Sequence, residues 1–187
     1  MSNIDTPLRF HKSIDDHIDT FRNIITSLTW LKVSVAEAEK FYQPYPYIIE
    51  LDCSVTDKKI KASKSILKII AREGFNKETP FYSATLINYY RIFTIAIKDV
   101  LWNEPDFQSL RQKEEMQFLR HIRNASAHEN KFFWGHGEKQ RQDCINRLPV
   151  SWRGKTIKET MENDSLYMNF MNPGDIFFLL SDISNLA

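Results

Sequence analysis

Apolar residues recur every three or four positions over long stretches of the chain, which is the spacing of one face of an α-helix. The first such run extends from Ser13 to about Tyr42. Its apolar positions are Ile14, Ile18, Phe21, Ile24, Ile25, Leu28 and Leu31. Ser13 is a favourable N-cap and Pro44 follows the last turn, so the pattern predicts one long amphipathic helix.

The next two segments differ in character. Residues 43–55, QPYPYIIELDCSV, combine prolines with β-branched and aromatic residues, which indicates a connection with a short extended piece. Helical spacing returns from Thr56 to Gly74, where lysines separate the apolar positions. We therefore predict a basic helix here, whose lysines form either a solvated face or a surface that follows RNA phosphates.

A second long helix is predicted after Thr79 and Pro80, which are suited to the N-cap and the first helical turn. The following sequence, FYSATLINYYRIFTIAIKDVLW over residues 81–102, is apolar on nearly every side. A helix of this kind is buried, either in the centre of a domain or in a subunit interface.

A fourth helix is predicted to begin near Ser109, which forms a Ser-x-x-Gln capping-box pattern with Gln112. Its periodicity continues to about Asn130, and we expect Gly135 and Gly137 to end it. Phe132 and Trp134 follow the helix. Packing in the core is favoured for these two rings over stacking on nucleic-acid bases.

The character of the sequence changes again beyond residue 147. LPVSWRGKTI and SLYMNFMN are typical of extended or hairpin segments, and Pro173-Gly174-Asp175 precedes a closing helix, IFFLLSDISNL. The predicted fold is therefore all-α, a helical bundle with a small C-terminal β-hairpin and a closing helix. We expect a single domain over residues 1–187, with a helical core at about 13–135 and a C-terminal extension at about 147–187.

Composition adds limits to this interpretation. The net charge of +1 does not indicate a nucleic-acid partner, so binding of a nucleic acid would require a local basic patch. Cys53 and Cys144 match no metal or disulfide pattern and are expected to be reduced structural thiols. Without an apolar leader or a membrane-length apolar run, the protein is expected to be cytoplasmic with no membrane partner.

One stretch of polar side chains lies on the predicted helix that begins near Ser109. On a helical wheel with Arg123 at 0° and about 100° per residue, the polar side chains span an arc of about 160°. The arc contains Arg120, His121, Arg123, Asn124 and His128, with Ala127 between them. Phe118, Leu119, Ile122 and Phe133 fall on the opposite side, so the arc is expected to face outward.

These side chain types suit the cleavage of RNA, although a solvated helix face is the alternative. RNA supplies its own nucleophile, the 2′-hydroxyl, so a protein has to move protons and stabilise a negatively charged phosphorane. Imidazole transfers protons near neutral pH and guanidinium binds phosphate oxygens. Arg120 and His121 are candidates for substrate binding. One protomer offers one clearly placed histidine, so a two-fold dimer is expected to supply both acid and base.

The sequence Arg123-Asn124-Ala125-Ser126-Ala127-His128 resembles the Arg-Asn-x-x-x-His signature of the HEPN superfamily. NYYRIFTIAIKDVLW, LPVSWRGKTI and PGDIFFLL resemble segments of bacterial members associated with plasmids or phage defence. The resemblance implies a HEPN-like helical bundle, a homodimer, and a composite, metal-independent endoribonuclease site. It implies Arg123 as the phosphate-binding residue, His128 as general acid or base and Asn124 as a supporting polar residue.

The resemblance also implies RNA as a partner and a role as a toxin or phage-defence effector, in some members paired with a nucleotidyltransferase-like antitoxin. Family sites often draw a polar residue from an earlier helix; Asn88 is a weak candidate and is not included in the catalytic set. No cofactor is expected, and the spacing of His121, His128, His136 and Cys144 matches no zinc site. Two alternatives stay open: a non-catalytic RNA- or nucleotide-binding HEPN module, and a structural helical dimerisation domain.

Overall fold

The computed structural model of the chain describes residues 8–24, 49–51, 60–62, 80–172 and 174–187. It is mostly helical, with two small antiparallel sheets, so the mainly-α class is confirmed. Contacts divide the chain into two compact units, Phe21–Leu86 and a second unit of Met1–Thr20 with Ile87–Ala187. The single domain over residues 1–187 stays a prediction.

The first helix, α1, covers residues 12–24 of the described chain. Ile14 and Ile18 are buried on it, four residues apart, as the periodicity predicts. The remainder of the predicted helix, up to Tyr42, lies outside the described residues.

In the unit Phe21–Leu86, strand β1 (Ile49–Leu51) pairs with strand β2 (Ile60–Ala62) in antiparallel register, Glu50 opposite Lys61. The short extended piece expected within residues 43–55 is thus confirmed. The helix predicted from Thr56 is wrong at residues 60–62, because pairing with the strand that precedes it in the chain overrides a weak local period. The rest of that predicted helix lies outside the described residues.

Helix α2 (Pro80–Asn103) confirms the second long helix. Phe93, Ile97 and Leu101 are buried and four residues apart, which defines the side that faces the core. Ile92 is 66% exposed, so burial in the centre of the domain is wrong at that position, and the subunit-interface alternative stays a prediction.

A 3-10 helix (Pro105–Leu110) precedes helix α3 (Glu114–Ala127), which carries the polar arc. The start predicted near Ser109 is therefore too early, and the end predicted near Asn130 is too late. The backbone N–H of His128 donates to the carbonyls of Asn124 and Ala125 at 3.1 and 3.2 Å, which closes the helix. Glu129 and Asn130 follow with φ of 53° and 65°, left-handed values that reverse the chain before either glycine is reached.

Backbone hydrogen bonds attach the segment after α3 to a distant part of the chain. Leu166 N–H donates to the Asn130 carbonyl at 2.8 Å, and Phe132 N–H donates to the Asp164 carbonyl at 3.0 Å. The Asn130 amide oxygen also accepts from Tyr167 N–H at 2.9 Å. The segment SLYMNFMN is thus mainly a folded turn that holds residues 130–132, with extended pairing limited to isolated bridges.

The C-terminal part contains helix α4 (Glu138–Ile145), the hairpin of β3 (Val150–Trp152) and β4 (Lys155–Ile157), a 3-10 turn (Glu159–Met161) and helix α5 (Asp175–Ser184). The hairpin and the closing helix are confirmed. Helix α4 was not predicted, because its sequence EKQRQDCI has one buried residue, Cys144, and no apolar period.

Helix α3 packs against β3 and α5, and aromatic rings fill the space around it. The Phe118 ring lies 5.7 Å from that of Trp152, and the Phe132 ring lies 5.9 Å from that of Trp134. Phe132 and Trp134 are 0% and 1% exposed, so the core interpretation of these rings is confirmed.

The N-terminal segment runs along α5. The backbone N–H of His11 donates to Ser184 Oγ at 2.9 Å, and His11 Nε2 lies 3.2 Å from Asp106 Oδ2. Among the described helices, none is long and apolar enough to cross a membrane.

Candidate functional site

A surface cavity of about 230 Å³ lies beside the C-terminal part of α3. Three structural elements build its wall: α3, the segment that follows it, and α4. The lining residues are Arg120, Asn124, His128, Phe133, Trp134, Gly135, His136, Gln140, Asp143 and Cys144. Three of the five predicted site residues, Arg120, Asn124 and His128, are therefore brought together.

Helical spacing explains this part of the wall. Arg120 and Asn124 are four residues apart and share one side of α3. His128 comes four residues later, as the C-cap, and its backbone N–H still bonds to the Asn124 carbonyl. The imidazole therefore stays next to the helix although it is no longer part of it.

Helix α2 holds the end of α3 through Arg91. Its Nε donates to the Ser126 carbonyl at 2.7 Å, which satisfies a last-turn acceptor and places a positive charge at the negative end of the helix dipole. Arg91 Nη1 donates to Asn88 Oδ1 at 2.8 Å. Asn88 therefore acts on the end of α3 through Arg91.

The chain reverses direction at Glu129–Asn130, and this brings the rings of Phe133 and His136 next to His128 in the cavity. The Phe133 ring lies 4.2 Å from the His128 ring and 4.7 Å from the His136 ring, and the two imidazoles are 5.9 Å apart. Partial burial, His136 and Arg123 together lower the pKa of His128 below its ordinary value. The neutral form of His128 is therefore favoured at neutral pH.

Gly135 allows the segment to approach α4. Its φ is +132°, and a Cβ there would lie 2.8 Å from the Gln140 Cβ and 2.9 Å from the Arg141 backbone nitrogen. A glycine is thus required where the loop meets the start of the helix that supplies Asp143 and Cys144.

Arg120 supplies the guanidinium of the cavity wall. Burial and then Arg147 lower the pKa of Arg120, while Cys144 and Asp143 oppose the shift. Within the described residues, its Nη1 is buried and has no hydrogen-bond partner. A buried, unpaired guanidinium N–H favours an anionic acceptor.

Arg123, the predicted phosphate-binding residue, lies outside the wall of the cavity. Its Nη2 is 3.4 Å from Asp99 Oδ2 on α2, and Lys98 Nζ is 3.5 Å from the same carboxyl group. Burial is the largest cause that lowers the pKa of Lys98, and Arg123 and Arg120 lower it further. Lys98, Arg120, Arg123 and Arg147 therefore form a basic patch that the net charge of the chain does not reveal.

His121 does not face outward, and the prediction that it lies on the exposed arc is wrong. It is 1% exposed, and its ring meets the Trp134 ring edge-on at 5.8 Å. Burial, Arg120 and Arg147 lower the pKa of His121 to about 4. In the described part of the chain neither ring nitrogen has a hydrogen-bond partner. The physical cause is that α3 is covered on two sides, by β3 and α5 and by the segment containing Trp134.

Several lining residues were missed or given other roles by the sequence analysis. His136 and Cys144 were considered as zinc ligands and rejected, and Gly135 was expected to end a helix. Phe133 was placed on the core face of a helix that ends before it. The signal that was available is the sequence FFWGHG, where glycines on both sides of His136 favour a tight loop over a helix.

Comparisons with known proteins return no match: no protein-family model, no curated protein and no solved structure matches this chain. Within the described residues, no group of three histidine, cysteine or carboxylate side chains is arranged to hold a metal ion. The chemistry of the cavity is therefore what indicates a function.

Proposed function

We propose that the chain is a metal-independent endoribonuclease of HEPN type that cleaves RNA by attack of the 2′-hydroxyl. The observation that carries the proposal is the common cavity of Arg120, Asn124 and His128. A guanidinium, an amide and a titratable imidazole on one wall are the groups that phosphodiester transfer within RNA requires.

In this reaction the 2′-oxygen attacks the adjacent phosphorus and the bond from phosphorus to the 5′-oxygen breaks. His128, kept neutral by its lowered pKa, accepts the proton of the 2′-hydroxyl. The guanidinium of Arg120 and the amide of Asn124, which both line the cavity, stabilise the negative charge of the phosphorane. The products are a 2′,3′-cyclic phosphate and a 5′-hydroxyl.

The basic patch supports RNA as the substrate. Lys98, Arg123 and Arg147 lie near Arg120, and Asp99 neutralises only part of this charge. A strand whose scissile phosphate enters the cavity meets these cations with its neighbouring phosphates. Arg123 is thus proposed to bind the RNA backbone beside the cavity.

The proposal includes a homodimer. The most exposed large apolar side chain of the described residues is Ile92 on α2, at 66%. One exposed apolar side chain is normal on a protein surface, so the homodimer rests on the HEPN resemblance and not on Ile92. The toxin or phage-defence role and the nucleotidyltransferase-like antitoxin remain predictions of the HEPN resemblance.

The test uses purified protein, total cellular RNA and excess chelator. Wild-type protein is expected to produce fragments that end in 2′,3′-cyclic phosphate. His128→Ala and Arg120→Gln are each expected to reduce the cleavage rate about 10²- to 10⁴-fold, the usual contribution of acid–base and oxyanion-stabilising groups. His17→Ala, at an exposed position on α1, is the matched control and is expected to cleave like the wild type.

Loss of cleavage on adding chelator, or equal cleavage by His128→Ala and wild type, would contradict the proposal. If RNA is retained by the wild type but no products form, the non-catalytic RNA-binding module is the better description. Thermal unfolding of each variant separates loss of activity from loss of the fold.

A further inference from the structure

The cavity contains a second imidazole in the same protomer. His136 lines the wall together with His128, and their ring centroids are 5.9 Å apart at an angle of 70°. The Phe133 ring contacts both imidazoles, at 4.2 and 4.7 Å, so the three rings form one cluster with Phe133 beside the histidine pair. Both histidines are exposed, so both ring edges are accessible to a ligand in the cavity.

In-line transfer within RNA needs two proton transfers at opposite sides of one phosphorus atom. A base acts at the entering 2′-oxygen and an acid acts at the leaving 5′-oxygen, each within about 3 Å of its oxygen. Two imidazoles that line one cavity, with ring centroids 5.9 Å apart, can each reach a different oxygen of a phosphate group that enters the cavity. A second copy of the chain is then not required to complete the acid–base pair.

We propose that His136 is a second catalytic residue of the reaction, the general acid that protonates the leaving 5′-oxygen in the cavity that holds His128. This inference rests on the proposed function. The 2′-hydroxyl proton passes to His128 as the oxygen–phosphorus bond forms, and the His136 proton passes to the 5′-oxygen as its bond to phosphorus breaks. The reaction is balanced: one proton is taken up, one is released, and no water or metal is consumed.

The surroundings of the two rings support this division of roles. Partial burial, His136 and Arg123 lower the pKa of His128, which favours its neutral, proton-accepting form. The cavity wall around the rings carries the cation Arg120 and the carboxylate Asp143. His136 lies in the loop between α3 and α4, whereas His128 is the C-cap of α3, so the two imidazoles reach the cavity from different parts of the chain.

The decisive experiment changes the leaving group. A short RNA is made around a junction that the wild-type protein cleaves, once with the normal 5′-oxygen and once with sulfur in its place. A thiolate leaves without protonation, so it bypasses a general acid but not a general base. The cleavage rates of wild type, His128→Ala, His136→Ala and His136→Gln are measured on both substrates, with His17→Ala as control.

On normal RNA, both His136 variants are expected to be about 10²- to 10⁴-fold slower than wild type. On the sulfur-substituted RNA they are expected to recover to within about 10-fold of wild type, while His128→Ala stays slow. Recovery also demonstrates that the His136 variants are folded.

Other results overturn the inference in distinguishable ways. If His136→Ala cleaves normal RNA like wild type while His128→Ala does not, His136 has no catalytic role and the proposed function stands. If sulfur rescues His128→Ala and leaves the His136 variants slow, the acid role of His136 is wrong. If wild type cleaves neither substrate, the proposed function fails and this inference fails with it.

Mixing two inactive variants tests whether one cavity holds both groups. Copies of His128→Ala and His136→Ala are mixed, dissociated and reassociated. A cavity that needs both histidines from one protomer is not restored, because each copy lacks one of them. Restored cleavage would show that the two histidines act across different copies and would overturn the arrangement within one protomer.

Discussion

Acidification is expected to destabilise the protein through His121. The side chain is 1% exposed, and its pKa is lowered from 6.5 to about 4 by burial and by Arg120 and Arg147. Because the folded state holds the imidazole neutral, the unfolded chain takes up a proton first as the pH falls through 6.5. Protonation of His121 therefore does not reduce the free energy of unfolding above pH 6.5. It reduces that free energy progressively as the pH falls from 6.5 to about 4.

The size of the loss follows from the two pKa values. Each pH unit between them corresponds to about 1.4 kcal/mol, so the whole interval from 6.5 to about 4 corresponds to about 3 kcal/mol. Between pH 7.5 and pH 5, the part expected from His121 alone is about 2 kcal/mol. This is a large fraction of the net stability of an ordinary domain.

The assay compares urea unfolding of wild type and His121→Leu at pH 7.5 and pH 5. Leucine has a similar volume and nothing to protonate, so the variant is expected to lose about 2 kcal/mol less than wild type on acidification. His17→Gln, at an exposed position, is expected to keep the wild-type drop because His121 is still present. An equal drop in wild type and His121→Leu would refute the reasoning, whatever the absolute stabilities are.

Two further predictions concern packing near the cavity and at the hairpin. Gly135→Ala is expected to cost about 1–3 kcal/mol in urea unfolding, because the new Cβ would lie 2.8 Å from the Gln140 Cβ at a φ of +132°. Gly137→Ala, where a Cβ meets no atom of the described residues within 4 Å, is expected to change stability by less than about 0.5 kcal/mol, and a similar cost at both glycines would contradict this. Asp182→Leu removes the acceptor of the buried Trp152 Nε1–H, bonded at 2.8 Å, and is expected to cost about 1–3 kcal/mol, whereas Asp182→Asn keeps an acceptor oxygen. Thermal unfolding of the pair checks this, and equal losses would exclude the indole hydrogen bond as the cause.

The parts of the fold that the sequence predicts are those whose burial is local in sequence. Helix α2 carries its core side chains Phe93, Ile97 and Leu101 at intervals of four, and the hairpin β3–β4 joins its strands through Arg153-Gly154. In both cases the local sequence pattern is sufficient to predict the element. Helix α4 buries one side chain, so its sequence holds no period to recognise.

The errors come from contacts that lie outside the three- and four-residue spacing of a helix. Strand β2 is a strand because Ile60 pairs with Leu51, and the end of α3 is fixed where Asn130 bonds to Leu166 and Tyr167. Neither interaction is part of the spacing from which the helices were predicted. Propensity is a weak prior that tertiary contacts override.

The same limit explains which site residues the sequence identified. A helical wheel divides α3 into one covered and one free side, and it correctly groups Arg120 with Asn124. It assigns His121 to the free side because nothing in the spacing shows that Trp134 returns to cover it. Arg120 and His121 are adjacent in the sequence, yet Arg120 lines the cavity and His121 is buried.

The cavity exists because α3 stops early. If the helix continued through Asn130 to the glycines, His136 would lie eight residues beyond His128, about 12 Å along the axis, and would have no contact with it. The left-handed residues Glu129 and Asn130 instead turn the chain, and the bonds of Asn130 to residues 166 and 167 hold the turn. Phe133 and His136 then fold back beside His128, with ring centroids 4.2 and 5.9 Å away. The break that the helical pattern does not predict is thus the feature that brings a second imidazole into the cavity.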